Sequence, residues 1–187
     1  MTLARRTGEA GYTLVEMLTV LVIMSVVLAA LTTLFVQGSN AESDMNVRFR
    51  AQTSARLALD KLRRQVHCVN SVTNATSSFV TLNGSTGCVP TGQVSWCTSG
   101  SGTRYALYFQ TGTTCTSAST RYVDYLTSGS VFTSVASSTT SLAQLHVVLP
   151  INTKPSRSVD GYTLCDNIVI RNSSRTGAGS TPPACPT

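Results

Sequence analysis

YTLVEMLTVLVIMSVVLAALTTLFV, residues 12–36, decides the architecture: a single carboxylate, Glu16, stands near the head of a run that is otherwise uncharged and mostly apolar. At about 1.5 Å per helical residue, residues 17–36 cover roughly the 30 Å of a bilayer's hydrocarbon core. The stretch is therefore a membrane-helix candidate. Ahead of it lies MTLARRTGEAG, residues 1–11, with Arg5 and Arg6. Positive charge beside a spanning helix stays cytoplasmic, so the leader is expected inside and everything after residue 36 outside.

A cleavable secretory signal also joins positive charge to an apolar core. Three details oppose that reading. The core exceeds the usual signal core of about 7–15 residues. The exit, Leu34-Phe35-Val36-Gln37-Gly38-Ser39, has no convincing small-x-small cleavage site. The acid inside the apolar segment costs about 2.5–3.5 kcal/mol on insertion scales. An unpaired carboxylate in hydrocarbon must protonate or find a cation. The plain alternative places Glu16 in the headgroup zone, solvated.

Gly11-Tyr12-Thr13-Leu14-Val15-Glu16-Met17-Leu18 resembles the N-terminus of type IV pilins and pseudopilins, whose pattern is glycine, an aromatic, [ST]-L-[VIL]-E and a long apolar helix. The resemblance implies that a prepilin peptidase cuts after Gly11 on the cytoplasmic side and methylates the new amino terminus at Tyr12. The helix then stays on the mature protein. The family most often begins with phenylalanine, and tyrosine stands here. The freed amine at Tyr12 lies about one helical turn from Glu16 and is the obvious partner for it, in the same chain or a neighbouring subunit. That pairing would set the register of a filament.

The chain has 187 residues, enough for one domain beyond the N-terminal segment, with 42% hydrophobic and only 12% charged residues. This Ser/Thr/Gly/Asn-rich, charge-poor composition suits an extracellular β-rich domain. The formal net charge is +6, and removing Arg5, Arg6 and Glu9 with the leader leaves about +5. Such a modest charge speaks to nonspecific partners and not to fold. Cys68, Cys88, Cys97, Cys115, Cys165 and Cys185 all follow the apolar run. There is no C-x-x-C, and His67 and His146 have no zinc-type spacing to the cysteines, so disulfides are expected, with 15 possible pairings. Proximity along the chain favours Cys88 with Cys97 and Cys165 with Cys185, leaving Cys68 with Cys115.

After a polar break or membrane exit at residues 38–44, Met45, Phe49, Gln52, Ala55, Leu59, Leu62 and Val66 recur by threes and fours, the stripe of an amphipathic helix. Arg48, Arg50, Arg56, Lys61, Arg63 and Arg64 lie mostly off it and read as a solvated basic face. Strands are expected at residues 78–82, 105–110, 121–126, 142–149 and 162–171, with turns at Asn83-Gly84, residues 99–102, Ser128-Gly129 and Asp160-Gly161. Alternation in LAQLHVVLPI puts Leu145, Val147, Leu149 and Ile151 on one face and Gln144, His146 and Val148 on the other, making His146 a surface residue. The fold class is α+β: a long N-terminal α-helix, membrane-spanning in its first half and amphipathic in its second, packed on a disulfide-bonded antiparallel sheet. The divisions are a leader at 1–11, the helix at 12–67 (12–36 transmembrane or filament core, 41–67 amphipathic), a globular β-rich domain at 68–172 and a flexible tail at 173–187.

A looser resemblance, to larger minor pilins and J-type minor pseudopilins, rests on Y-L-T-S-G-S-V-F at 125–132, residues 142–150 and residues 162–172 ending in Arg171-Asn172. Residues 68–115 have no counterpart in it. No G-x-S-x-G elbow, phosphate loop or H-E-x-x-H occurs, so catalytic residues, cofactors and a small-molecule substrate are not expected. Asp160, Asp166 and Asn167 are near in sequence but lack the alternating ligand loop of a calcium site. The expected role is that of a minor prepilin-type subunit of a pilus or secretion pseudopilus, with the filament tip as one location. Its partners are other pilin subunits, the prepilin peptidase and the cytoplasmic membrane, with DNA or a surface ligand open. The competing class is a single-pass exported enzyme or sensor domain.

Overall fold

The computed structural model describes residues 11–89, 92–115 and 119–186. The leader's Arg5 and Arg6 lie outside them. One helix, α1, runs Leu14–Cys68 without interruption, and the chain divides after Asn46 into two compact units. Gly38 does not break the helix: open space surrounds it, so its only cost there is the ~1 kcal/mol of helix propensity lost relative to alanine. In the first unit the apolar face has nothing to pack on, and Leu21, Ile23, Leu28 and Phe35 are all exposed.

The second unit packs residues 47–68 of α1 on eight antiparallel strands: β1 (Ser71–Thr76), β2 (Phe79–Asn83), β3 (Gln93–Ser101), β4 (Arg104–Thr111), β5 (Thr120–Leu126), β6 (Phe132–Val135), β7 (Gln144–Asn152) and β8 (Gly161–Val169). The order is β1-β2-β3-β4-β5-β7-β6, with β8 also paired to β7. The sheet curls until the β1–β2 turn meets the start of β6, where the Ser77 carbonyl accepts from the Val131 and Phe132 amides at 2.7 and 3.0 Å. Gly102, at φ +61°, closes the two-residue β3–β4 hairpin in the left-handed region that glycine tolerates.

The buried helix face keeps Ala55, Leu59, Leu62 and Val66 of the expected stripe and differs from it elsewhere. Ala51, Ala55, Ala58, Leu59, Leu62 and Val66 are buried, whereas Met45 and Phe49 are exposed. Three alanines let the helix come close to the sheet; a phenylalanine in that row would hold it off. Opposite them lie Val80, Leu82, Trp96, Leu107, Leu126, Leu145 and Leu149. Gln65, also buried, accepts a 2.8 Å hydrogen bond from Trp96 Nε1. The basic face is only partly solvated. Lys61 Nζ sits 3.7 Å from the Phe109 ring centroid and 4.4 Å from that of Tyr122, and donates to the Tyr122 hydroxyl. Arg63 pairs with Asp166 at 2.7 Å, and Arg48 with the buried Asp160 at 2.6 Å.

The disulfides are Cys68–Cys88, Cys97–Cys115 and Cys165–Cys185. Proximity along the chain therefore misassigned Cys88, Cys97, Cys68 and Cys115. Sheet geometry decides: Cys68 ends α1 beside the loop after β2, and the Cys88 sulfur lies 3.1 Å from the Cys68 carbonyl oxygen. Cys97 faces Tyr108 across β3–β4, within reach of the loop leaving β4. In the tail, the Thr176 carbonyl accepts from Ser137 Oγ at 2.6 Å and Ala178 bridges to Ser138.

Tyr162 carries a testable pH effect. Its hydroxyl oxygen is buried with no hydrogen-bond partner among the described residues. Burial pushes its pKa from 10.0 up to about 12, opposed by the nearby Arg56 guanidinium. The folded state thus holds a proton that the unfolded chain releases, and stability is expected to fall as pH rises from 10.0 towards about 12. Tyr162→Phe should flatten that decline, and at neutral pH should leave stability unchanged or raise it by up to about 1 kcal/mol. Urea unfolding across alkaline pH checks both; a loss above about 1 kcal/mol at neutral pH would mean the hydroxyl has a partner.

Candidate functional site

The segment that carries the expected chemistry is the entry to α1. Gly11 and Tyr12 are non-helical and exposed, Tyr12 at 79%. Thr13 caps the helix: its Oγ1 accepts from the Glu16 amide at 3.3 Å, and its carbonyl accepts from the Met17 amide at 3.2 Å. Thr13 and Glu16 are thus the ends of a T-x-x-E capping-box sequence, with the acid in the first turn where the helix dipole favours negative charge. The T-x-x-E spacing alone signals this local role. The free amides and dipole of the first turn are the local reason an acid is tolerated at this helix entry. The Glu16 residue is exposed, and no ion pair engages its carboxylate among the described residues.

Gly11 has no steric duty in the fold. A Cβ there would meet nothing within 4 Å, and the residue is not held at positive φ. Hydroxyls along the apolar run, Thr19, Ser25, Thr32 and Thr33, each donate to a carbonyl three or four residues back, so they present no unsatisfied donor to a lipid environment. The helix from residue 14 on is long and apolar enough to cross a membrane by length and composition.

Other candidates resolve differently. His146 is buried at 4% exposure, contrary to its expected surface position. The outer face of β7 is flanked by β6 and β8, and Nδ1 of His146 lies 2.5 Å from Asn167 Oδ1. His146, Cys165 and Cys185 cluster tightly, but both sulfurs are consumed by the disulfide, which leaves no thiolate for a metal. The three residues weighed for calcium are each engaged elsewhere: Asp160 with Arg48 and Arg157, Asp166 with Arg63, and Asn167 with His146. All six cysteines belong to the second unit, where they staple loops and tail to the sheet.

No curated protein and no solved structure matches the chain. Residues 6–32 match the family model described as the prokaryotic N-terminal methylation motif. That match, together with the exposed apolar helix that follows it, supports a type IV pilin-like or pseudopilin-like precursor and fits anchorage in a membrane.

Proposed function

We propose that the chain is a prepilin-type minor subunit of a type IV pilus or secretion pseudopilus. A prepilin peptidase removes residues 1–11, Tyr12 becomes the methylated amino terminus, and the subunit enters the filament through residues 12–36. The carrying observation is the pairing of a glycine the fold does not need with a helix whose apolar surface nothing covers. A residue with no structural duty is available to be read by an enzyme, and an uncovered apolar rod is a surface for lipid first and for other helices afterwards. Within this reading the exposed Glu16 carboxylate gains an ion pair with a Tyr12 amine. The size of the second unit and its three disulfides favour a minor, tip-placed subunit over an abundant shaft protein, with DNA or a surface ligand as its external partner.

Shearing surface filaments from cells and blotting both fractions tests the reading. The chain is expected in the sheared fraction at a small fraction of the main subunit, with immunogold label at filament ends. Recovery solely from membranes of piliated or secreting cells would overturn it.

A further inference from the structure

The face of the sheet turned away from α1 carries a trough. Trp96 and Phe109, directly opposite one another on β3 and β4, point to the helix side and Lys61, so their neighbours Cys97 and Tyr108 point outward by the alternation of the pleat. Arg121 of β5 stands opposite Tyr108 on this outer face. Between Tyr108 and Arg104 the same strand offers only Ala106, whose small side chain makes a floor. Opposite Ala106 on β3, Ser99 adds only a short exposed side chain, and Gly100 beside it carries none. The resulting hollow measures about 460 Å³. A second hollow of about 650 Å³ shares Ser99 and Tyr108 with it and continues to Phe79 and the Cys97–Cys115 disulfide. Together they cross β2 to β5, three inter-strand gaps of ~4.8 Å each.

Two details mark the trough as built. Tyr125, at φ +66°, is the one non-glycine residue in the left-handed region among the described residues, a strained conformation for an aromatic. The Arg104 guanidinium lies 5.2 Å from its ring centroid and donates to the Thr153 carbonyl at 3.2 Å, which fixes both side chains. At the other end Arg121 and Asp124 neutralise each other at 3.3 Å. The lining therefore carries aromatic faces, hydroxyls and a compensated ion pair, with only Arg104 as excess charge.

We infer that this trough binds a neutral, polyhydroxylated chain, a short glycan. Sugar rings present apolar C–H faces that lie against tyrosine rings, and hydroxyls that bond a carboxylate, a guanidinium or a serine. Ser99, Tyr108, Arg121 and Asp124 supply that set in one hollow. A nucleic acid strand would use the same rings, but it needs a row of cations along its phosphates, and the trough offers one net charge. The length of the paired hollows fits several rings and not one. The inference concerns the second unit alone and does not rest on processing or filament entry.

The test uses the full chain in detergent micelles, titrated by calorimetry against short neutral oligosaccharides of mixed linkage, with a monosaccharide and an oligothymidylate as comparators. Two variants accompany it: Tyr108→Ala removes the central ring, and Ser99→Trp, at an exposed position, fills the trough without removing a contact. Saturable binding of at least one oligosaccharide is expected, insensitive to salt and weakened about tenfold or more by both variants. No oligosaccharide binding by the folded chain, binding unchanged by Ser99→Trp, or salt-sensitive oligothymidylate binding lost in the same variants would each overturn the assignment.

Discussion

Glu16→Ala is expected to leave the chain in the membrane and to abolish its entry into filaments. Removing a carboxylate from an apolar run eases insertion by about 2.5–3.5 kcal/mol on translocon scales, so membrane residence can only gain. Assembly loses instead. An amine whose mate has been deleted in a dry helix bundle costs about 3–5 kcal/mol, equivalent to roughly 10²–10⁴ in the affinity of each joint. The Thr13 cap supplies the control. Thr13→Ala breaks the 3.3 Å cap but spares the acid, and costs about 1 kcal/mol in helix entry. Blotting of sheared filaments should therefore show loss with Glu16→Ala and near-normal levels with Thr13→Ala. Equal loss in both would return Glu16 to a purely local role.

The second large effect lies in the domain. Trp96→Ala should destabilise the folded unit by about 3–5 kcal/mol, the range for emptying a large buried aromatic site. Trp96 is fully buried and stacks with Phe109 and Tyr122 at centroid distances of 5.1 and 5.3 Å. Its loss also strips Gln65 Oε1 of its 2.8 Å donor and opens one wall around Lys61. Against a typical domain stability of about 5–15 kcal/mol, much of the reserve goes. Trp96→Phe keeps most of the volume and should cost less, its minimum being the ~1 kcal/mol of the lost hydrogen bond. Urea unfolding followed by circular dichroism separates the two; a Trp96→Ala cost under about 1 kcal/mol would contradict this packing.

Legibility followed the strength of the local pattern. The apolar run announced its helix, and alternation in β7 correctly placed Leu145, Val147, Leu149 and Ile151 inside. Strands β2, β4, β5, β7 and β8 were expected within a few residues of where they lie. Three were missed. β1, SVTNAT, is polar and β6, FTSV, is short, so neither carries an apolar period. β3 hides for the opposite reason: Val94, Ser95, Trp96 and Cys97 are all buried, because Gly112 and Cys115 engage Ser95 and Cys97 on the outer face while the helix covers the inner, and alternation vanishes. The helix stripe was right at Ala55, Leu59, Leu62 and Val66, but it began at the large Met45 and Phe49, which are exposed, and passed over the buried Ala51 and Ala58. His146 followed the alternation rule onto the outer face, but no rule of alternation says which outer faces neighbouring strands will bury. At the helix entry, Gly11, Tyr12 and Glu16 were legible as a motif, since their spacing is local. The trough around Tyr108 was not, because strands far apart in sequence assemble it.

Processing is the claim on which the filament reading stands, and intact and N-terminal mass spectrometry of the membrane-extracted chain tests it most directly. The predicted result is a polypeptide that begins at Tyr12 with a methyl group on its amine. A chain that still begins at Met1 in cells with an active prepilin peptidase, or one that begins beyond Phe35, would contradict it.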